Sequence, residues 1–111
     1  SEHVAGMVLA AMAVDASMRG AINLATSDAV LAAARERGID PLEFEAGYEN
    51  RRRRLEAAFE GRGSVPRIVY HTGAFGIEPI TYVLGETALE AVSLAAELVD
   101  EGDGDGDGDG G

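Results

Sequence analysis

Apolar residues recur at helical spacing in four segments of the chain, and this pattern predicts four helices. The predicted helices span roughly residues 2–14, 28–37, 49–59 and 87–99, with caps at Ser1, at Thr26 or Ser27, and at Thr87 with Glu90. We expect the first, third and last helices to turn an apolar face inward. The residues predicted on these faces are Val4, Met7, Val8, Ala11 and Met12, then Tyr48, Leu55, Ala58 and Phe59, then Leu89, Val92, Ala96 and Val99.

Four shorter segments, 21–25, 41–46, 67–70 and 80–84, have the composition of strands. In the second of them Leu42 and Phe44 alternate with two glutamates, which is typical of a half-exposed strand at the edge of a sheet. The order of elements is then α-β-α-β-α-β-β-α. This alternation predicts an α/β fold in which helices pack against a sheet.

The chain carries a strongly negative charge, and its last residues hold a large share of it. The net charge is −11, with nine arginines and no lysine. Residues 101–111 alternate glycine and acidic residues without one apolar side chain, so we expect a disordered acidic tail behind a single domain of residues 1–100. Six of the twenty acidic residues lie from Asp100 onward, which leaves a net charge of −5 on the rest. Such a surface repels nucleic acid and suits a high-salt cytoplasm.

Composition also limits the chemistry that the chain can perform. It has no cysteine, and two histidines are too few for an ordinary zinc site. The longest apolar stretch, residues 4–14, contains Gly6 and is too short to span a bilayer, and the first residues lack the cationic start of a signal peptide. We therefore expect a soluble cytoplasmic protein that does not bind membranes.

The stretch from Val65 to Gly85 is where we place a site, if the chain has one. A strand there ends on His71, a turn with Gly73 and Gly76 follows, and Glu78 precedes the next strand. Ligands of open α/β sheets bind outside the carboxyl ends of strands, and a histidine in such a place can titrate. The alternative is a hairpin whose glycines merely supply positive φ angles.

Four successive arginines, residues 51–54, lie in the predicted third helix. Four successive positions point almost all the way round a helix, so they cannot form one flat basic patch. One or two of them can face a pocket and bind an anion, while the others meet solvent or the neighbouring Glu49 and Glu56. A wholly solvated helical face is the alternative.

With these motifs in place, the sequence resembles the C-terminal part of the archaeal ThiN domain, a thiamine-phosphate synthase. Four collinear segments carry the resemblance. They are Ser1-Glu2-His3-Val4-Ala5, the segment Asp15 to Leu24 with Met18-Arg19-Gly20-Ala21-Ile22-Asn23-Leu24, the segment Pro66 to His71 followed by Gly73 and Gly76, and the pair Glu78-Pro79 with Val83-Leu84-Gly85. The resemblance implies a three-layer α/β/α domain with a mixed sheet, similar to the class II aldolase type and shortened at its N-terminus here.

The resemblance also implies a reaction. The family joins a hydroxymethylpyrimidine diphosphate to a thiazole phosphate and gives thiamine phosphate and diphosphate, so the implied partners are these small phosphorylated molecules. The implied catalytic residues are His71, Arg51 and Arg54. The implied substrate-binding residues are Arg19, Asn23, Gly73, Gly76, Glu78 and His3. A requirement for Mg²⁺ stays open, because Glu78 is the one obvious oxygen ligand near the turn.

Departures from the family pattern keep other functions open. The family usually has Phe-Asp-Arg where this chain has Phe44-Glu45-Ala46, which contains no arginine. A polar Ser-x-x-Trp-Gly-like segment of the family is replaced here by Tyr48-Glu49-Asn50 and the arginine run. Arg67 stands where aspartate is usual. One alternative is a sensor that binds thiamine phosphates without turning them over, as the same domain does behind DNA-binding domains. Another is a degenerate domain kept for assembly, whose apolar edge pairs with a second copy as a homodimer.

Overall fold

The computed structural model describes residues 2–47 and 49–108, and these contain eight elements in the predicted order. The helices are α1 (Glu2–Val14), α2 (Asp28–Glu36), α3 (Arg51–Arg62) and α4 (Ala88–Gly108), and the strands are β1 (Gly20–Ala25), β2 (Leu42–Glu43), β3 (Ile68–His71) and β4 (Ile80–Gly85). Of the predicted caps, Ser27 accepts from the backbone N–H of Val30 and Thr87 accepts from that of Glu90. Ser1 and Tyr48 lie outside the described residues.

The four strands form one mixed sheet in the order β1-β4-β3-β2. β4 runs antiparallel to both of its neighbours, while β2 runs parallel to β3. β2 lies at the edge, as predicted, but it is two residues long rather than six. It is short because the chain turns inward at Phe44, whose backbone N–H still bonds the carbonyl of Tyr70 and whose side chain is buried.

Alternate residues of the central strands separate two apolar cores on opposite faces of the sheet. One core joins α1 and α3 to the sheet and contains Met7, Ala10, Ala11, Met18, Phe44, Leu55, Phe59, Val69, Tyr82 and Leu84. The other joins α2 and α4 to the sheet and contains Val30, Leu31, Ala33, Ala34, Ile68, Tyr70, Val83, Leu94, Ala95 and Leu98. The α/β fold is therefore confirmed, with helices on both faces. The class II aldolase-like topology stays a prediction.

The predicted inward face of α4 was wrong at three of its four residues, whereas the fourth, Val99, packs against the core as predicted. Leu89 is 74% exposed and Val92 is 47% exposed, whereas the buried stripe consists of Ala91, Leu94, Ala95 and Leu98. Both stripes have helical spacing, so the sequence pattern alone cannot choose between them. The choice follows from close packing at the start of the helix, where Gly20 and Gly85 lie against the backbone of residues 87–91 with no room for a Cβ atom at Gly20. In α1, Ala10 is buried and Met12 is exposed, which also corrects the prediction.

The sequence predicts that helix α4 ends at Val99, but the helix continues to Gly108. Its extension is anchored to α2, because Arg37 forms ion pairs with Glu97 and Glu101, and Gly102 lies against Ala29. The disorder predicted for residues 101–111 stays a prediction for solution, and residues 109–111 lie outside the described residues. No helix of the described chain is long and apolar enough to cross a membrane.

Candidate functional site

A cleft of about 430 Å³ opens where β3 ends and β4 begins, on the face of the sheet that carries α1 and α3. In the strand register His71 pairs with Ile80, and Tyr82 follows two residues later on the same face. α1 and α3 supply the opposite wall. The lining residues are His3, Arg51, His71, Gly76, Ile77, Glu78, Ile80 and Tyr82.

His71 is almost fully buried, with 2% of its surface exposed, and its ring is held in one orientation. The backbone N–H of Gly73 donates to Nδ1 at 3.1 Å, so the proton of the neutral ring is assigned to Nε2. Phe44 contacts the ring edge-on, with centroids 5.1 Å apart. Burial lowers the pKa of His71, and the positive charge of Arg51 lowers it further. The ring is therefore a neutral donor through Nε2 at neutral pH.

The two glycines in the turn after His71 differ in how closely other atoms surround them. Gly73 has a φ of +88° and lies so close to the carbonyl oxygen of Ile77 that an added Cβ atom would stand 2.7 Å from it. Gly76 has a φ of +76°, but open space surrounds the position of its Cβ. Ala74 and Ile77 exchange two backbone hydrogen bonds, and this pairing places the fully exposed Phe75 at the tip of the turn. Gly73 thus shapes the floor of the site and Gly76 shapes its rim.

Arg51 enters the cleft from the first turn of α3 and is held by its neighbours. Nη1 donates to Nδ1 of His3 at 2.8 Å, and Nη2 donates to the carbonyl of Ala46 at 2.9 Å. The guanidinium carbon lies 5.3 Å from the centre of the Phe44 ring, a cation–π geometry. Burial raises the pKa of the neighbouring Tyr82 phenol, and the positive charge of Arg51 partly offsets this. The guanidinium is thus fixed before any ligand arrives.

The other arginines of the run behave as expected for successive helical positions. Arg52, Arg53 and Arg54 are exposed, and Arg52 pairs with Glu56 one turn further along α3. Arg51, Arg52 and Arg53, together with Asn50 and Glu56, also line an adjoining open depression of about 480 Å³. Of the four arginines, Arg51 lines the cleft beside His71, and an anion-binding role for any of them stays a prediction.

The structure brings together most of the residues that the sequence suggested for the site. His3, Arg51, His71, Gly76 and Glu78 line the cleft, and Gly73 supports His71 from behind. Arg54, one helical turn beyond Arg51, is not among the lining residues, and its catalytic role stays a prediction.

Two further predicted residues lie outside the cleft lining. Asn23 is exposed and pairs with Tyr82 across the sheet. Arg19 precedes the end of β1 that pairs with Gly85, whereas the cleft lies near the other end of that strand, about 17 Å away at the usual rise per residue. A substrate contact from Asn23 or Arg19 stays a prediction.

Sequence reasoning missed the aromatic part of the site. Tyr82 and Phe44 contact the catalytic candidates, but neither was proposed as a site residue. A signal existed for Tyr82, because the hairpin of β3 and β4 places alternate residues of β4 beside His71. Phe44 lies opposite His71 because the parallel register pairs the preceding Glu43 with Tyr70, and no local sequence pattern gives this register. Among the described residues, no group of three histidine, aspartate or glutamate side chains could hold a metal ion.

Comparisons with known proteins place this geometry in context. The model of the family described as thiamine-phosphate synthase ThiN matches residues 1–97. The C-terminal domain of protein MJ0236 superposes with a TM-score of 0.74 at 24% identity, covering 90% of this chain and 59% of that one. The C-terminal domain of phosphomethylpyrimidine kinase gives 0.71 at 26% identity, covering 88% and 61%. This chain thus spans about three fifths of each solved neighbour. No curated protein matches the chain.

Proposed function

We propose that this chain, which belongs to the thiamine-phosphate synthase ThiN family, works in thiamine biosynthesis and joins hydroxymethylpyrimidine diphosphate to thiazole phosphate in the cleft beside His71. In this transfer the bond between the pyrimidine methylene carbon and the diphosphate oxygen breaks, and the electron pair leaves with diphosphate. The thiazole nitrogen forms the new bond to the same carbon, which gives thiamine phosphate. The negative charge that develops on the leaving oxygen is what the protein has to stabilise.

The observation that carries the proposal is the kind of partner that Arg51 contacts. Within the described chain Arg37, Arg52 and Arg62 form ion pairs with carboxylates, whereas the contacts of Arg51 are to an imidazole, a carbonyl, a phenyl ring and a phenol. Its positive charge is therefore not cancelled by these partners. A fixed guanidinium binds phosphate oxygens strongly. We assign it to the diphosphate.

His71 supplies the second part of the proposed mechanism. Its neutral ring carries the proton on Nε2, so it can donate a hydrogen bond to the leaving oxygen, and the lowered pKa keeps this tautomer populated at neutral pH. Glu78 and the backbone of the Gly76 turn lie on the same cleft wall and would orient the rest of the substrate.

The test measures thiamine phosphate synthesis and, by calorimetry, binding of thiamine phosphate to this chain and to three variants. Arg51→Ala and His71→Ala should each reduce the rate of synthesis by about 10²-fold or more, the usual cost of removing a group that stabilises the transition state. Arg35→Ala removes an exposed charge from α2 on the other face of the sheet and should change neither quantity. Synthesis that persists at the normal rate in His71→Ala would refute the assignment of that residue.

A second function, a sensor that binds thiamine phosphate without synthesis, is favoured by one observation. Because the chain spans about three fifths of each solved neighbour, parts of a site for two substrates could lie beyond the matched region. The same titration separates the two functions. Binding of thiamine phosphate that is lost in Arg51→Ala, together with no synthesis by the wild-type chain, would establish the sensor. Absence of both binding and synthesis would remove both proposals.

A further inference from the structure

The hydrogen bond between His3 and Arg51 has a defined direction. A guanidinium has N–H donors and no acceptor, so Nδ1 of His3 must accept the bond at 2.8 Å and must carry no proton. We propose that His3 is a positioning residue that holds Arg51 in its anion-binding orientation only while its imidazole is neutral, so that protonation of His3 weakens anion binding in the cleft. This inference rests on the proposed function, because it assigns Arg51 to a phosphate-type anion.

The placement of His3 explains why it can act on Arg51 without being needed for the fold. His3 is exposed in the first turn of α1, whereas Arg51 begins α3, so their bond joins two helices at the mouth of the cleft. The other contacts of Arg51 fix one nitrogen at Ala46 and the guanidinium face at Phe44. Loss of the His3 contact therefore leaves the arginine tethered but free to turn its Nη1 end away from the ligand.

A protonated His3 would act against Arg51 in two ways. An imidazolium has N–H groups at both ring nitrogens and can no longer accept from Nη1. It also places a second positive charge beside the guanidinium, which repels it. The direct alternative, in which His3 itself binds the anion, predicts the opposite result, because an imidazolium attracts an anion more strongly than a neutral ring. The sign of the pH effect therefore separates the two roles.

Other titratable groups that share the cleft with His3 have to be considered in this test. Arg51 faces it from α3, His71 from β3, Tyr82 from β4, and Glu78 from the turn between those strands. β1, which also packs near α1, contains no titratable side chain. Burial lowers the pKa of His71, so this ring stays neutral to more acidic pH than an ordinary histidine. The His3 variants described below therefore separate an effect of His3 on anion binding from an effect of His71.

The experiment is an NMR titration of the chain with sulfate, a dianion whose own charge is constant across the range of histidine titration, roughly pH 5 to 8. We expect the affinity of the wild-type chain to fall as His3 takes up a proton. The protein has two histidines, so its ring signals are readily assigned by substitution. The ring nitrogen shifts should also identify His3 at neutral pH as the tautomer with its proton on Nε2.

Three variants test the mechanism. His3→Asn keeps an acceptor near the position of Nδ1 but cannot titrate, so it should bind sulfate about as well as the neutral wild type and without the acid loss. His3→Ala removes the acceptor and should weaken binding about tenfold at every pH, the lower range for a hydrogen bond to a charged group. Leu9→Ala, an exposed position on α1 outside the cleft, is the matched control and should behave as wild type.

Each outcome decides between these ideas. Tighter sulfate binding by the wild type in acid would overturn the positioning role and favour a direct contact from His3. Normal binding and an unchanged pH profile in His3→Ala would refute the inference and leave the proposed function intact. No sulfate binding by the wild type at any pH would refute the anion cleft itself, and with it both proposals.

Discussion

Replacing Gly73 by alanine should damage the protein more than replacing Gly76, although both glycines lie in one turn. Both residues have a positive φ, which costs a residue with a Cβ atom about 1–2 kcal/mol. At Gly76 nothing lies within 4 Å of the added atom, so this is the whole cost. At Gly73 the added Cβ would stand 2.7 Å from the carbonyl oxygen of Ile77, closer than real contacts allow.

The excess cost at Gly73 follows from what holds that oxygen in place. The Ile77 carbonyl accepts the N–H of Ala74 at 3.1 Å, so it cannot move aside without loosening this bond, which is worth about 0.5–1.5 kcal/mol net. Gly73→Ala should therefore cost about 1.5–3.5 kcal/mol and Gly76→Ala about 1–2 kcal/mol. In a domain of this size each 1 kcal/mol corresponds to a fall in Tm of roughly 4 °C or more.

Urea unfolding followed by circular dichroism measures both variants, with the free energy of unfolding compared at a common slope. A second readout tests the link to the site. Because the N–H of Gly73 donates to Nδ1 of His71, Gly73→Ala should disturb the tautomer of that ring, and Gly76→Ala should leave it as in wild type. Equal destabilisation by the two substitutions, within about 0.5 kcal/mol, would show that the close approach at Gly73 carries no energy.

Two further predictions concern the core and the buried histidine. Leu98→Ala should cost about 2–5 kcal/mol in urea unfolding because Leu98 is fully buried, whereas Leu89→Ala, at an exposed position of the same helix, should cost about 0.5 kcal/mol or less, and the reverse order would contradict the observed face of α4. Burial, and then the charge of Arg51, lower the pKa of His71 below 6.5, so the native state binds fewer protons than the unfolded chain. The stability from His71 is therefore complete above pH 6.5 and is lost as the pH falls through the lowered value. Melting temperatures should show this slope in the wild type and a smaller one in His71→Asn, which keeps an acceptor for Gly73.

Much of the fold could be predicted because local signals agree with it. The order of the eight elements, the cap at Ser27 and the edge position of β2 all follow from residues close in sequence. The inward face of α4 could not be predicted in the same way. That helix has apolar residues on two stripes, and the stripe that is buried depends on Gly20 and Gly85, whose missing side chains let the start of the helix approach the sheet.

The candidate site, too, could be predicted from the sequence only in part. His71, Gly73, Gly76 and Glu78 lie within eight residues, so the sequence alone brings them together. Arg51 could be distinguished from its three neighbours only after α3 was packed against α1 and Phe44, because periodicity does not say which arginine of a run faces inward. Tyr82 and Phe44 are in the site because of strand register, Tyr82 through the pairing of β4 with β3 and Phe44 through the pairing of β2 with β3.

The proposed anion site belongs to a chain with a net charge of −11, so most of the surface is unfavourable for a phosphate. The surface repels phosphates, so an arginine that is neutralised by a carboxylate would offer a ligand little attraction. The described contacts of Arg51 avoid this by using neutral dipoles and aromatic rings, which fix its position and keep its charge. Burial lowers the pKa of His71 and the charge of Arg51 lowers it further, so His71 stays neutral beside the guanidinium. The acidic surface and the uncancelled guanidinium together favour a small phosphorylated ligand that fits inside the cleft over an extended polyanion that must cover the surface.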